Sequence, residues 1–399
     1  MSKPPVNLVR GVAFPTSSSR AVVTPLQPSV VYASPSPDAL DDQYEGRAKG
    51  YTYAREGHPN ADVLAQKIDQ LEGVSGGIIT SSGMSAITAG LLGLLSAGDH
   101  VIAGDQLYGR SLRMLKLDLP RFGITTSFVD PTDAAALAAA VTPQTKVMLL
   151  EVVSNPTLRV ADMQAAQDIC AKHNLILMVD NTFTTPKAYC PCDHGADVVI
   201  HSVTKLLAGH SDATLGYIAA VDPDHMRRIY DTSVTMGFTP SPFDCWLAER
   251  GLYSFDLRYD RCQSTASDMA EALARHPKVS RVLYPTRSDH PDHNRAVTLL
   301  GGQGSHIVSF ELDASGVANP RDLSNAFVQA ADAIAFAPTL GDIGTTLSHP
   351  ASSSHRALSV QERAELGMTE TFFRMSVGIE APDVLIAQVI AAIDAATNP

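Results

Sequence analysis

The sequence has few cysteines and no long apolar or basic run, and each absence excludes a class of protein. Five cysteines among 399 residues are too few and too scattered for the disulfide framework of a secreted domain. Apolar runs such as 175–179 are far too short to span a bilayer. The formal net charge is −12 and no run of Lys or Arg is present, which argues against nucleic-acid and membrane partners. The first residues lack the apolar stretch of a secretion signal, so we expect a cytoplasmic protein.

The chain has enough apolar residues, 45% of the total, to build more than one buried core. Residues 1–57 are rich in Pro, Ser and Tyr and predict an arm that lies on its own body or on a neighbouring subunit, with disorder as the alternative. Residues 58–256 alternate helical segments with short apolar runs, and residues 257–399 predict a smaller unit.

The short apolar runs predict strands that are buried on both faces and separated by helices. They cover 78–79, 100–103, 125–129, 146–151, 175–180 and 197–201. This pattern indicates an α/β domain with a largely parallel sheet. Ligands of such sheets bind beyond the carboxyl ends of the strands, so the polar residues that follow each run are the candidates for function.

Asp180 and Lys205 each follow one of these runs and are expected at the same edge of the sheet. A lysine that loses its hydration becomes a neutral, nucleophilic amine, although a surface lysine paired with an acid would fit the local sequence equally well. The small-residue turn 81–84 opens a helix whose free N–H groups could bind phosphate, or it serves only as a helix cap. Together the turn, the acid and the lysine match the needs of pyridoxal phosphate.

No metal site is expected, because Cys190 and Cys192 lack the usual spacing of metal ligands.

Seven motifs in order along the chain resemble the cystathionine γ-synthase and γ-lyase family of Cys/Met metabolism enzymes. The motifs are Tyr53-Ala-Arg55, Ser81-Ser-Gly-Met84, Tyr108-Gly109, Ser154-Asn-Pro-Thr157, Val179-Asp-Asn-Thr-Phe183, residues 201–212 around Lys205, and residues 374–380. The resemblance implies the pyridoxal-phosphate-dependent transferase fold type I, with a mostly parallel sheet of seven strands, helices on both faces and a smaller C-terminal α/β domain. It also implies a homodimer with shared active sites, usually assembled into a homotetramer.

The resemblance also implies roles for individual residues. Lys205 would bind the cofactor aldehyde covalently and shuttle protons, Asp180 would keep the ring nitrogen protonated, and Tyr108 would stack on the ring and exchange a proton. The other residues implied in cofactor binding are Ser82, Gly83, Met84, Ser202 and Thr204, together with Tyr53 and Arg55 from a neighbouring subunit. Arg374 would bind the substrate carboxylate with the help of Asn155 and Thr339, and Arg113 would add positive charge near the entrance.

Three departures from the family pattern bear on the substrate. Gly344 stands where family members usually carry a glutamate, and Thr52 stands where lyases that act on cystathionine often have an acid. Thr339 replaces the usual serine. We therefore expect γ-elimination or γ-replacement on a homoserine-derived or sulfur amino acid, with methionine, O-acylhomoserine and canavanine as candidates. The alternatives are a cystathionine γ-synthase, a cystathionine β- or γ-lyase, and a non-catalytic protein that binds pyridoxal phosphate.

Overall fold

The computed structural model describes residues 15–356 and 358–397. The first 14 residues of the predicted arm therefore lie outside the described residues. The rest of the arm includes a helix, which the sequence interpretation did not predict: Ser36 caps it by accepting the N–H of Ala39 at 3.1 Å, and Pro37 occupies its first turn.

Within the described residues, seven strands form the larger sheet. They are β1 Ile78–Thr80, β2 His100–Gly104, β3 Thr125–Val129, β4 Thr145–Glu151, β5 Ile176–Asp180, β6 Val198–Ser202 and β7 Gly216–Ala220. Their order across the sheet is β1-β7-β6-β5-β4-β2-β3. Strands β2 to β6 are parallel, whereas β7 runs antiparallel to both β6 and β1. The carboxyl ends of β4, β5 and β6 therefore meet at one edge.

Five further strands form the smaller sheet near the C-terminus. They are β8 Val279–Leu283, β9 Ile307–Leu312, β10 Ala335–Phe336, β11 Thr346–Ser348 and β12 Phe372–Ser376, in the order β10-β11-β12-β9-β8. Only the short pair β10 and β11 is parallel among these described strands. This sheet places β12 and the loop before β11 next to the larger sheet.

Helices cover both faces of the larger sheet and one side of the smaller one. They are α1 Pro37–Tyr44, α2 Pro59–Glu72, α3 Gly83–Leu94, α4 Gly109–Arg113, α5 Ala134–Ala139, α6 Met163–His173, α7 Thr185–Ala188, α8 Pro223–Met236, α9 Pro242–Leu252, α10 Phe255–Ala274, α11 His293–Leu299, α12 Pro320–Ala330, α13 Val360–Glu365 and α14 Pro382–Thr397. Short π or 3₁₀ turns cover Met114–Asp118, Leu119–Phe122, Pro191–His194 and Pro350–Ser352.

The cores explain why the central strands are almost entirely apolar. Separate clusters of buried side chains pack on the two faces of the larger sheet, one including Leu150 and Val179 and the other including Leu149 and Met178. Adjacent residues of one strand thus enter opposite cores, as the alternation of side chains in a strand requires.

The predicted fold class is confirmed, although particular elements differ. The sequence interpretation missed β7, whose run 216–220 is apolar but has no helix before it. It began α10 at Cys262, whereas the helix begins at Phe255 and crosses the predicted boundary between residues 256 and 257. The domain boundaries themselves stay a prediction. Over the described ranges, no helix combines the length and the hydropathy needed to cross a membrane.

Candidate active site

The carboxyl ends of β4, β5 and β6 bring polar side chains to one edge of the larger sheet. Glu151 and Asp180 are the last residues of β4 and β5, and their Cα atoms are paired in register. Ser202 ends β6, and a turn in which the N–H of Lys205 donates to the carbonyl of Ser202 at 3.1 Å leads to the lysine. The chain therefore brings Asp180 and Lys205 to the same edge, as the sequence predicts.

Lys205 is an amine held in a largely dry environment. Its Nζ donates to Oγ1 of Thr339 at 3.3 Å, in the loop between β10 and β11 of the smaller sheet. Burial lowers the pKa of Lys205 to about 8, and the positive charge of Arg374 contributes to the shift. A much larger fraction of this amine than of an ordinary lysine is therefore neutral near neutral pH, and the neutral state acts as the nucleophile.

The first turn of α3 lies directly against the end of β6. Ser82 caps the helix by accepting the N–H of Ser85 at 3.1 Å. A methyl group at Gly83 would lie 2.7 Å from Cβ of Ser202, so only glycine allows this close approach. The N–H groups of Gly83 and Met84 belong to the first turn, which has no acceptors within the helix, and they are suited to a phosphate.

Asp180 is fixed by the residue two positions after it. Its Oδ1 accepts the backbone N–H of Thr182 at 3.1 Å and the hydroxyl of Thr182 at 2.6 Å. Burial raises the pKa of Asp180 despite these hydrogen bonds. A bound cation would favour the ionised form, and a protonated ring nitrogen provides such a charge.

Arg374 reaches the site from the centre of the smaller sheet. One terminal nitrogen donates to Oδ1 of Asn155 at 2.8 Å and the other to the carbonyl of Thr339 at 2.8 Å. Its Nε is buried and has no hydrogen-bond partner among the described residues. Burial lowers the pKa of Arg374 to about 10. A guanidinium that is buried and incompletely paired is suited to bind a carboxylate.

These side chains line one cavity of about 230 Å³ between the two sheets. It brings together eleven of the predicted residues, namely Ser82, Gly83, Met84, Tyr108, Asn155, Asp180, Ser202, Thr204, Lys205, Thr339 and Arg374. Tyr108 is 41% exposed, which leaves its ring accessible to a ligand.

Three predicted residues lie outside this cavity. Arg113 donates to Asp118 at 2.8 Å, and its side chain is about half exposed. The guanidinium of Arg55 lies 5.3 Å from the ring centre of Tyr53, on the arm and not among the residues that line the cavity. The contact of Tyr53 and Arg55 with the cofactor of a neighbouring subunit stays a prediction.

The sequence interpretation missed several lining residues, of which Glu151 carries the most chemistry. It accepts the backbone N–H of Tyr108 at 2.8 Å. Its position at the end of a predicted strand was a signal, but we counted it as part of the strand. Ser353, Ser354 and Phe183 also line the cavity, and no motif of the sequence singled out the two serines.

The residues present fit pyridoxal phosphate. The cavity offers a largely shielded amine, a largely shielded carboxyl group and a helix start so close to β6 that a Cβ at Gly83 would fill the gap. Each corresponds to one part of the cofactor: the aldehyde, the ring nitrogen and the phosphate.

Comparisons with known proteins agree with this fit. The family model for Cys/Met metabolism PLP-dependent enzymes matches residues 7–394. The chain is 38% identical over 335 residues to cystathionine beta-lyase MetC of Bacillus subtilis (strain 168), covering 84% of each protein. It is 35% identical over 385 residues to L-methionine gamma-lyase of Pseudomonas putida, covering 96% of this chain and 94% of that enzyme.

A solved structure is also similar over nearly the whole chain. It is a protein from Campylobacter jejuni described as an O-acetylhomoserine (thiol)-lyase, with a TM-score of 0.89 and 27% identity, and it covers 96% of this chain and 97% of its own. That structure contains N'-pyridoxyl-lysine-5'-monophosphate.

Proposed function

The chain belongs to the Cys/Met metabolism PLP-dependent enzyme family, and from that premise we propose that it catalyses γ-elimination or γ-replacement on an amino acid derived from homoserine. Its cofactor is pyridoxal phosphate. The γ substituent of the preferred substrate is uncharged and joined through sulfur or oxygen, as in methionine or an O-acylhomoserine. Canavanine, whose γ substituent is joined through oxygen, belongs in the same test panel.

The charge of the cavity lining carries this proposal. Among the described lining residues, the basic residues are Lys205 and Arg374 and the acidic residues are Asp180 and Glu151. Both acids end strands of the larger sheet. Asp180 is assigned to the ring nitrogen, and Glu151 accepts the N–H of Tyr108. Burial also raises the pKa of Glu151 well above its ordinary value. A second ammonium group on the substrate would therefore find no ionised carboxylate of this chain besides the assigned Asp180, which disfavours cystathionine.

The residues of the cavity divide the work of the reaction. When bound, pyridoxal phosphate supplies an electron-withdrawing ring that stabilises negative charge at the substrate α carbon. Arg374 binds the substrate carboxylate, with Asn155 holding one of its nitrogens in place. Nζ of Lys205 takes the α proton and returns protons to the substrate, and the hydroxyl of Tyr108 gives a proton to the leaving group.

Cleavage of cystathionine is the second candidate, and one contact favours it. On the arm, Oε2 of Glu56 accepts the hydroxyl of Thr52 at 2.6 Å, next to Tyr53. If the arm completes a neighbouring site, this acid would come with it and could bind a distal ammonium. The relative from Bacillus subtilis is a cystathionine beta-lyase.

Product analysis over a substrate panel tests the proposal. Purified enzyme is given methionine, an O-acylhomoserine, cystathionine or canavanine, with and without an added thiol. Elimination at the γ carbon yields 2-oxobutanoate, whereas β-elimination from cystathionine yields pyruvate. We expect the highest kcat/KM for an uncharged γ substituent. Pyruvate from cystathionine as the main product would contradict the proposal and support the second candidate, and Glu56→Gln would then lower that activity.

We further propose a homodimer of shared sites, assembled into a homotetramer, in the cytoplasm. The exposed arm residues Val22, Val23 and Val31 support the association, since a second copy would cover them. The five cysteines are free thiols, as suits a reducing compartment.

A further inference from the structure

The roles assigned above leave one buried carboxyl group unexplained. Glu151 is 8% exposed and lines the cavity beside Asp180, with which it is paired in register. Two acids thus meet at one dry edge of the sheet. Like charges so close in a poorly solvated place do not both ionise easily.

The two oxygen atoms of Glu151 have different surroundings. Oε1 accepts the backbone N–H of Tyr108, the residue that immediately precedes α4. Oε2 is buried and has no hydrogen-bond partner among the described residues. An ionised oxygen without a donor is costly to bury, whereas a protonated one can donate to a bound group.

The charged and polar groups around Glu151 favour its uncharged form. Burial raises the pKa of Glu151 well above its ordinary value, and the charge of Asp180 adds to this effect. The backbone N–H groups of Tyr108 and Asn155 and the charge of Arg374 act in the opposite direction but with less effect. The terminal nitrogens of Arg374 donate elsewhere, so the guanidinium does not neutralise Glu151 by contact.

Asp180 is the member of the pair that is better prepared for a negative charge. It accepts two hydrogen bonds from Thr182, one of them from a hydroxyl at 2.6 Å. The nearby His201 also lowers the pKa of Asp180 and so favours its ionised form. If one acid of the pair carries the charge and the other the proton, this asymmetry places the proton on Glu151.

We propose that Glu151 is a positioning residue that stays uncharged in the resting enzyme. Its Oε1 holds the backbone of Tyr108 in place, and its buried Oε2 carries the proton. The proposal rests on the proposed function only in that the cavity binds the cofactor and an amino acid. An uncharged Glu151 leaves Asp180 as the single negative charge at this edge.

Two substitutions of Glu151 and one of Asp180, the residue paired with it in the sheet, test the proposal in the holoenzyme. Glu151→Gln keeps an oxygen that accepts the N–H of Tyr108 and places an N–H donor where Oε2 lies. Glu151→Leu removes both the acceptor and the donor. Asp180→Asn is the matched control, the same exchange of carboxyl for amide on the paired residue. Infrared difference spectra between the wild type and Glu151→Gln at neutral pH should show the loss of one protonated-carboxyl carbonyl stretch.

Absorbance titration and kinetics complete the test. The pH midpoint of the cofactor absorbance band should be the same in Glu151→Gln as in the wild type, and should move in Asp180→Asn. The kcat of Glu151→Leu should fall on the order of tenfold below that of Glu151→Gln, because only the amide can hold Tyr108.

Three results would overturn the proposal: no protonated-carboxyl band lost, a midpoint in Glu151→Gln that moves as it does in Asp180→Asn, or equal kcat values for the Gln and Leu variants. If Glu151→Leu does not fold, the infrared and absorbance results on Glu151→Gln still decide. Neither spectrum depends on which substrate is turned over, so a wrong substrate proposal would leave this result readable.

Discussion

At the scale of single residues, the chemistry depends on an amine that is dry enough to lose its proton. We expect Lys205→Ala to abolish both the absorbance band of the lysine-bound cofactor and the turnover of every substrate, because the variant has no nucleophile at that position. Lys187→Ala is the matched control, since Lys187 pairs with Asp256 at 3.2 Å outside the cavity. Full turnover by Lys205→Ala would remove the basis of the mechanism.

The charge of Arg374 sets part of the reactivity of Lys205. Burial and, second, Arg374 lower the pKa of Lys205 to about 8, so the neutral amine increases as pH rises through that value. The rate at which apoprotein takes up pyridoxal phosphate should follow the same curve. Arg374→Ala removes a repelling positive charge, which stabilises the ammonium form and shifts the midpoint of the curve to higher pH.

Stopped-flow absorbance of cofactor uptake at several pH values measures this shift. Arg227→Ala serves as the control, because Arg227 is an exposed residue paired with Asp224 on α8. A midpoint that stays in place in Arg374→Ala, or that moves to lower pH, would show that Arg374 does not act on Lys205 as the structure implies.

At the scale of elements, the start of α3 determines whether a phosphate can approach. In Gly83→Ala the new methyl group would lie 2.7 Å from Cβ of Ser202 and 3.0 Å from its Cα, so the helix must move away from β6. Such overpacking typically costs about 1–3 kcal/mol, and we expect cofactor affinity to fall on the order of tenfold or more.

Cofactor retention after dialysis, read by absorbance, measures this loss. Gly90→Ala in the same helix is the control, because its methyl group would meet the flexible end of Met178 at 2.9 Å, in the core. Equal retention in Gly83→Ala and the wild type would mean that the turn does not hold the phosphate.

The sequence predicts the elements that are buried by the helices and strands next to them in the chain, because such burial leaves a recognisable apolar pattern. The parallel strands β2, β4, β5 and β6 are buried on both faces, and their apolar runs are visible in the sequence. The expectation of burial on both faces is wrong for β3, which lies at the edge of the sheet and is mostly partly exposed. The beginning of α10 is not visible in the sequence. Arg258 lies on the inner face of this helix, is 3% exposed, and donates to the carbonyls of Leu206, Leu207 and Gly251. A buried arginine that binds distant carbonyls has the sequence pattern of a surface residue.

The site shows the same division. Asp180 and Lys205 follow predicted strands and could be placed at one edge from the order of elements alone. Arg374 and Asn155 are 219 positions apart in the chain, and Arg374 and Thr339 are 35 positions apart. Their contacts depend on how the two sheets meet. Only the resemblance to a family, and not local pattern, could name these partners.

At the scale of the whole molecule, one chain does not supply every predicted cofactor contact. Tyr53 and Arg55 are held on the arm, where the N–H of Ala54 donates to the carbonyl of Val30 at 2.9 Å. Neither side chain lines the cavity of its own chain, as far as the described residues extend. A shared site requires them to enter the cavity of a partner related by symmetry.

Mixing two inactive variants tests this sharing directly. We expect Arg55→Ala to lose cofactor, because a charge-assisted contact with phosphate contributes about 1.5–3 kcal/mol, and Lys205→Ala to be inactive. A mixed dimer of the two has one site with both substitutions and one with neither, so random mixing should restore about a quarter of the wild-type activity. Mixing Lys205→Ala with Asp180→Asn is the control: both residues line the cavity of their own chain, so each mixed site keeps one defect and no activity returns. Recovery in the control, or none with Arg55→Ala, would show that the arm does not complete the partner's site.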